Sequence, residues 1–344
     1  MSDYFKRVSR QTATRFWINN VTLEEALLAI EAGAVGCTQN PAYTWRILSN
    51  SADKPQAEQL LAKILKEEHD DEEALEKLQR ALVKGVADIF LPMHKASNGQ
   101  NGFVSIQASP LHEDTETIIR CARENAELNP NIMAKIPVTE EGLAAIKILV
   151  PECIPINATE CMTVRQVIDV CEVYKEAIKN ISKPAPLYFS LITGIYDEYL
   201  QKYARENKID ISQDVLWQAG ISVARKVHAL VQERCYPCGF IGGGARGLHH
   251  FTEMVGANAS ITINWPGTAD KLLEQDPPVL SRFLAQTPYS TEDELLEKLP
   301  DHRKAYFING ILPHEYENYG PVVLFRENFV TAWNNALGYI KSCR

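Results

Sequence analysis

The chain has 344 residues, 45% of them hydrophobic and 23% charged, with a formal net charge of −9. These are the proportions of a globular protein with room for one large domain or two ordinary ones. The negative balance argues against a nucleic-acid footprint, and no apolar run approaches the roughly 20 residues of a membrane span. Met1-Ser2-Asp3-Tyr4-Phe5-Lys6-Arg7 lacks a signal-peptide core, so a cytoplasmic location is expected.

In chain order, Arg15–Asn19 reads as a buried strand. A helix to about Ala32 follows, with Thr22 as N-cap, Glu25 at the capping-box position and Gly33 as its stop. Ala34–Thr38 is a second strand, closed by Gln39-Asn40-Pro41. Residues 55–91 are charged and helix-rich, and two outer helices broken near Asp70-Asp71 are expected. After a loop at Ser97–Gly102, Phe103–Gln107 is the third strand and Thr115–Leu128 its helix. Asn131–Pro137 is the fourth strand, stopped by Pro137. Thr139 then caps a helix whose first turn carries Glu140 and Glu141. Cys153–Asn157 gives a fifth strand and Thr163–Lys179 its helix. Leu187–Ile192 is a sixth, followed by an acidic-aromatic turn and a helix over about Val215–Arg234. Gly239–Gly242 is a seventh with Leu248–Val255 as its helix, and Ala259–Ile263 an eighth.

Eight apolar strands alternating with helices indicate a parallel sheet covered on its outer face. Eight such units within about 250 residues fit a single α/β domain, a closed (β/α)8 TIM barrel over residues 14–280. The alternative is an open doubly wound sheet, but no G-x-G-x-x-G follows the first strand. Residues 281–344 exceed the barrel's needs and are expected as a helical extension, with a last helix near Phe329–Ile340 as a cap. The eight cysteines read mostly as buried thiols. Cys235 and Cys238 have C-x-x-C spacing, but no second pair or paired His stands at zinc-ligand spacing. They are read as structural, with no metal site.

Lys135 is the exception in its apolar strand. An ammonium is costly to bury unless it is paired or loses its proton, and a neutral amine attacks carbonyls to form Schiff bases. A lysine that simply reaches solvent from the strand end is the plainer alternative. What surrounds it decides. The strand ends carry Asn19, Thr38 with Asn40, Gln107, Asn157 with Thr159, Ser190, and Arg246 after Gly242-Gly243-Gly244. Amides and hydroxyls suit a polyhydroxylated ligand, and a glycine run before an arginine offers an anion seat.

These motifs resemble the transaldolase family. Gly36-Cys37-Thr38-Gln39-Asn40-Pro41 is similar to its G-x-T-T-N-P second strand. Lys135-Ile136-Pro137 with Thr139-Glu140-Glu141-Gly142-Leu143 resembles its Schiff-base segment, and Ile156-Asn157-Ala158-Thr159 its I-N-x-T strand. The resemblance implies a barrel enzyme of carbohydrate metabolism that needs no cofactor. It would transfer a dihydroxyacetone unit from a ketose or ketose phosphate to an aldehyde through Lys135. Thr159 would hold the catalytic water, Asn40 and Asn157 would position the donor, Thr38 and Ser190 would line its pocket, and Arg246 would hold a phosphate. A homo-oligomer is left open.

Three positions depart from the pattern. Asn19 stands where the family carries an Asp general acid/base, and Gln107 where it carries a Glu that polarises water. Ile195 replaces a second phosphate-binding Arg. An amide takes up no proton at neutral pH. Asp197, Glu160 and His249 are candidates for the missing proton transfer. Two other readings stay open: an aldolase of the fructose-6-phosphate type with a changed or non-phosphorylated substrate, and a non-catalytic sugar-binding barrel.

Overall fold

The computed structural model describes residues 2–344. Its eight strands, all parallel, close into a barrel in sequence order, with β1 bonded to β8. They are β1 Arg15–Asn19, β2 Ala34–Thr38, β3 Phe103–Gln107, β4 Ile132–Pro137, β5 Ile156–Cys161, β6 Leu187–Ile192, β7 Gly239–Gly243 and β8 Ser260–Asn264. Among the described residues no helix is long and apolar enough to cross a membrane.

The helices are α1 Tyr4–Gln11, α2 Leu23–Ala32, α3 Ala42–Ser49, α4 Lys54–Ile64, α5 Asp71–Ala96, α6 Thr115–Ala126, α7 Glu140–Leu149 and α8 Val164–Ala177. They continue as α9 Thr193–Glu206, α10 Gln213–Leu216, α11 Ala219–Glu233, α12 His249–Thr252, α13 Asp270–Gln275, α14 Tyr289–Lys298, α15 Pro300–Tyr306 and α16 Gly320–Ser342. The capping box of Thr22 and Glu25 opens α2, and Gly33 closes it at φ +113°. Thr139 caps α7 through the Gly142 N–H. A large apolar core lies between strands and helices, while Trp17, Phe103, Met133 and Ile241 plug the barrel interior. Gly36 makes room for that plug, since a Cβ there would meet the Trp17 ring at 2.3 Å.

Several elements differ from the sequence expectation. The sequence predicts the fifth strand over Cys153–Asn157, but it runs over Ile156–Cys161. Cys153 ends a 3-10 turn in the left-handed region, and Pro155 has no N–H for a ladder, so the apolar residues before Ile156 form the approach to the strand. The acidic-aromatic turn after β6 is the helix α9, which buries Ile195, Tyr196, Asp197 and Leu200 on one face. The helix expected over Leu248–Val255 shortens to α12, and the one over Val215–Arg234 divides into α10 and α11. α1 and α3 add to the expected elements, and the last helix begins at Gly320, well before Phe329. This helix, α16, packs against α3, α5 and α9 and touches β5 at the barrel mouth.

Candidate active site

A cavity of about 270 Å³ opens at the C-terminal ends of the strands, where parallel barrels gather polar side chains. Lys135, Thr38, Thr159 and Ser190 reach it from β4, β2, β5 and β6. Asn19, Asn40 and Arg246 line its rim, and Phe325, Asn328 and Phe329 descend from α16. Lys135 is 8% exposed. Its Nζ stands 5.8 Å from the centroid of the Phe329 ring. Among the described residues no hydrogen bond or ion pair reaches that nitrogen. Burial lowers the amine to about pKa 8, with the charge of Glu160 acting in the opposite direction.

Two hydrogen-bonded chains hold the polar walls. In one, Thr262 and Thr38 share a 2.8 Å bond, Thr38 donates to Asn19 Oδ1 at 2.8 Å, and Asn19 Nδ2 donates to Asn264 Oδ1 at 2.9 Å. In the other, Ser190 Oγ donates to Asn157 Oδ1 at 2.7 Å, and Asn157 Nδ2 donates to Ser105 Oγ at 3.3 Å. Asn157 is fully buried, and both ends of its amide are engaged beneath the cavity. Asn40 Oδ1 accepts from Asn20 Nδ2 and from the Ala42 N–H at the start of α3. Its own Nδ2 remains available to the pocket.

Gln107 lies opposite Lys135 in the β3–β4 register, but its side chain turns to Glu160, donating Nε2–H to Oε1 at 2.9 Å. That bond spans β4, the strand carrying Lys135. Glu160 belongs to a break in the β5–β6 register and has φ +64°. Burial raises its carboxyl, opposed by Arg326, the Gln107 N–H and Lys135. Arg326 of α16 places Nε 3.1 Å from Glu113 Oε2, near enough for an ion pair but misaligned for a hydrogen bond. Glu113 is pushed up to about 8 by burial and then by the charge of Glu160, with Arg326 pulling the other way.

Arg246 follows Gly244, which has φ +69° and would clash with Ile192 if it carried a Cβ. The guanidinium is paired with Glu198 of α9. The loop is braced from below: His250 Nδ1 accepts the N–H groups of Arg246 and Gly247 at 3.2 and 3.1 Å. With Nδ1 an acceptor, Nε2 carries the proton and donates to Asp197 Oδ2 at 3.0 Å, while Asp197 Oδ1 accepts the Gly220 N–H. Asp197, His249 and His250 bring possible ligand atoms within 4.8 Å of one another. A metal on His250 Nε2 would force a proton onto Nδ1 against two backbone N–H donors, so this set suits a hydrogen-bonded brace. His249 stacks on Trp217, and burial lowers it to about 4.

Of the predicted residues, Asn19, Thr38, Asn40, Lys135, Thr159, Ser190 and Arg246 share the cavity, Asn157 lies below it and Gln107 beside it. The sequence reading missed Asn264, which one more residue of β8 would have added to the series of polar strand ends. It also missed Arg326 and Phe329, which no local signal marks.

The profile of a family described as Transaldolase/Fructose-6-phosphate aldolase matches residues 16–303. A transaldolase of Thiobacillus denitrificans is 32% identical over 316 residues, covering 86% of this chain and 84% of that one. A transaldolase of Saccharopolyspora erythraea is 29% identical over 230 residues, 63% of this chain and 59% of its own length. Transaldolase 2 of Streptomyces avermitilis is 26% identical over 243 residues, 68% and 63% of the two. The last two are thus matched over less than two thirds of their length.

Proposed function

This chain belongs to the transaldolase/fructose-6-phosphate aldolase family, and on that premise we propose that it transfers a three-carbon ketol unit from a ketose to an aldehyde through a Schiff base on Lys135. The observation that carries the reading is the amine itself: buried, without a counter-ion in contact, and lowered to about 8 at the base of a polar cavity. Such an amine is neutral in a substantial fraction near physiological pH and free to attack a ketone.

Nζ adds to the C2 carbonyl, and loss of water gives the iminium. The C3–C4 bond then breaks as the C4 hydroxyl gives up its proton, leaving an aldehyde and an enamine on Lys135. The enamine carbon attacks the acceptor aldehyde, whose oxygen takes a proton, and water hydrolyses the new iminium to release the product. Asn19, Asn40 and Ser190 would hold donor hydroxyls, and Thr159 the water.

A second reading, an aldolase for an uncharged or differently charged sugar, is favoured by Arg246. Its partner Glu198 would stand against a phosphate, and Ile195 offers no second cation. Borohydride reduction in the presence of fructose 6-phosphate, sedoheptulose 7-phosphate or dihydroxyacetone tests both readings. An adduct mapped to Lys135 is expected, and stronger trapping with dihydroxyacetone than with the phosphates would favour the second. Folded protein without any adduct would overturn both.

A further inference from the structure

Making and hydrolysing an imine requires a group that gives a proton to a departing hydroxyl and takes one from an incoming water. Asn19, Thr38, Asn40, Gln107, Thr159 and Ser190 do not titrate near neutrality. Asp197 and His250 brace the Arg246 loop, His249 lies against Trp217, and Glu198 is paired at the rim. Glu113 is engaged with Arg326, which leaves Glu160, and three observations mark it.

Its backbone is held at φ +64° within a strand, a strained conformation for a non-glycine residue that persists only where the surroundings impose it. Strict alternation after Asn157 and Thr159 would send residue 160 to the outer face. The register break turns it instead toward Gln107, as bulges do where a side chain must be re-aimed.

The polar atoms there are also left incomplete. Glu160 Oε2, Gln107 Oε1 and Thr159 Oγ1 are all buried with no hydrogen-bond partner. A fully structural carboxylate would have both oxygens satisfied. One acceptor carboxylate, one amide oxygen and one hydroxyl, on the two strands flanking Lys135, form a receptor for a small hydrogen-bonding molecule.

Finally, two acids share one cation: Arg326 stands 3.1 Å from Glu113, and its charge also reaches Glu160. Like charges in one buried site do not both ionise, so the pair retains a proton.

We propose that Glu160 is the general acid–base of the imine step, its free Oε2 holding the water that leaves and returns at the carbon bound to Lys135. Gln107 Oε1 and Thr159 Oγ1 are that water's other partners. In the forward direction the protonated Glu160 gives its proton to the carbinolamine hydroxyl. The C–O bond breaks, water departs, the nitrogen lone pair forms C=N, and the products are iminium, water and the Glu160 carboxylate. In hydrolysis the carboxylate takes a proton from water as its oxygen bonds to the iminium carbon. The carboxylate that Gln107 on β3 lacks is thus supplied from the far side of β4.

The proposal rests on the Schiff-base reading, and its test separates the two. Adduct formation on Lys135 with dihydroxyacetone and borohydride is timed by intact mass for the unaltered protein, Glu160→Gln, and the double variant Gln107→Glu/Glu160→Gln, which moves the carboxylate to β3. Glu160→Gln is expected to slow adduct formation about a hundredfold, and the double variant to regain about tenfold of that. A rate for folded Glu160→Gln within about threefold of the unaltered protein overturns the proposal. So does a folded double variant no faster than the single. If Glu160→Gln fails to fold, the double variant decides alone: a rate within about tenfold of the unaltered protein supports the assignment and a larger loss overturns it. No adduct in the unaltered protein removes the Schiff-base reading, and this proposal with it.

Discussion

A single buried amine sets the character of the cavity, and its energetics can be separated from its chemistry. The native pKa of Lys135, about 8, lies below the 10.5 of an unfolded lysine, so the unfolded chain binds more protons between those values. The destabilisation is therefore complete below pH 8 and disappears as pH rises toward 10.5. Lys135→Met keeps the volume and removes the charge. It should abolish the borohydride adduct and raise stability at pH 7, by up to about 3 kcal/mol on the size of that shift. The advantage should vanish by about pH 10, and denaturant titrations at the two pH values measure it. At the opposite wall, Asn19 accepts from Thr38 and donates to Asn264. A carboxylate there keeps the first bond, and the Asn264 amide can rotate to donate to it. Asn19→Asp should therefore raise sugar-phosphate turnover, by about tenfold if a general base for the C4 hydroxyl is the deficit. An unchanged or lower kcat would mean that the wall is built around the amide.

Among the elements, α9 and the loop after β7 act together. A Cβ on Gly194 would lie 2.2 Å from the Gly244 carbonyl, and Asp197, one turn along α9, holds the imidazole that gathers the Arg246 and Gly247 N–H groups. Asp197→Asn presents an NH2 or a weaker acceptor to His250 Nε2 and invites the other tautomer, which opposes both backbone donors. The expected result is a KM for fructose 6-phosphate raised about tenfold, comparable to one buried hydrogen bond lost, with a smaller change in kcat. Equal loss in both constants would argue that the brace also shapes the reacting end. Much of this was written in the sequence. Uniformly apolar strands and capped helices mark the barrel, and the polar strand ends identify most of the cavity. The course of β5 was not legible, because Cys153-Ile154-Pro155 is as apolar as a strand and its 3-10 entry is set by tertiary packing. Glu160 is legible only as one of three candidates for the missing proton transfer, since alternation reads a carboxylate at that position as solvent-facing and the register break that turns it toward Gln107 leaves no local signal.

For the whole molecule, the barrel supplies the amine but α16 supplies its surroundings. Phe329 lies over Lys135, and Arg326 faces Glu113, its charge also reaching Glu160. No pattern in Phe325–Phe329 announces this, since contacts between distant segments leave no local period. Adduct formation in the unaltered protein should rise with pH toward about 8 as the amine loses its proton, and fall at higher pH as the Glu113 and Glu160 pair gives up the proton that the imine step needs. Phe329→Ala admits water beside Nζ and relieves the desolvation that depresses it. The midpoint of that rise should move up, toward about 10 for a hydrated lysine. A midpoint unmoved in Phe329→Ala would mean that the barrel alone desolvates the amine.

The position of α16 also orders events in time. A chain emerging from the ribosome completes β8 long before it delivers Arg326 and Phe329. Until that helix docks, no Phe329 ring lies beside the Lys135 amine and no Arg326 faces Glu113. The surroundings of the nucleophile are therefore assembled later than the strand that carries it.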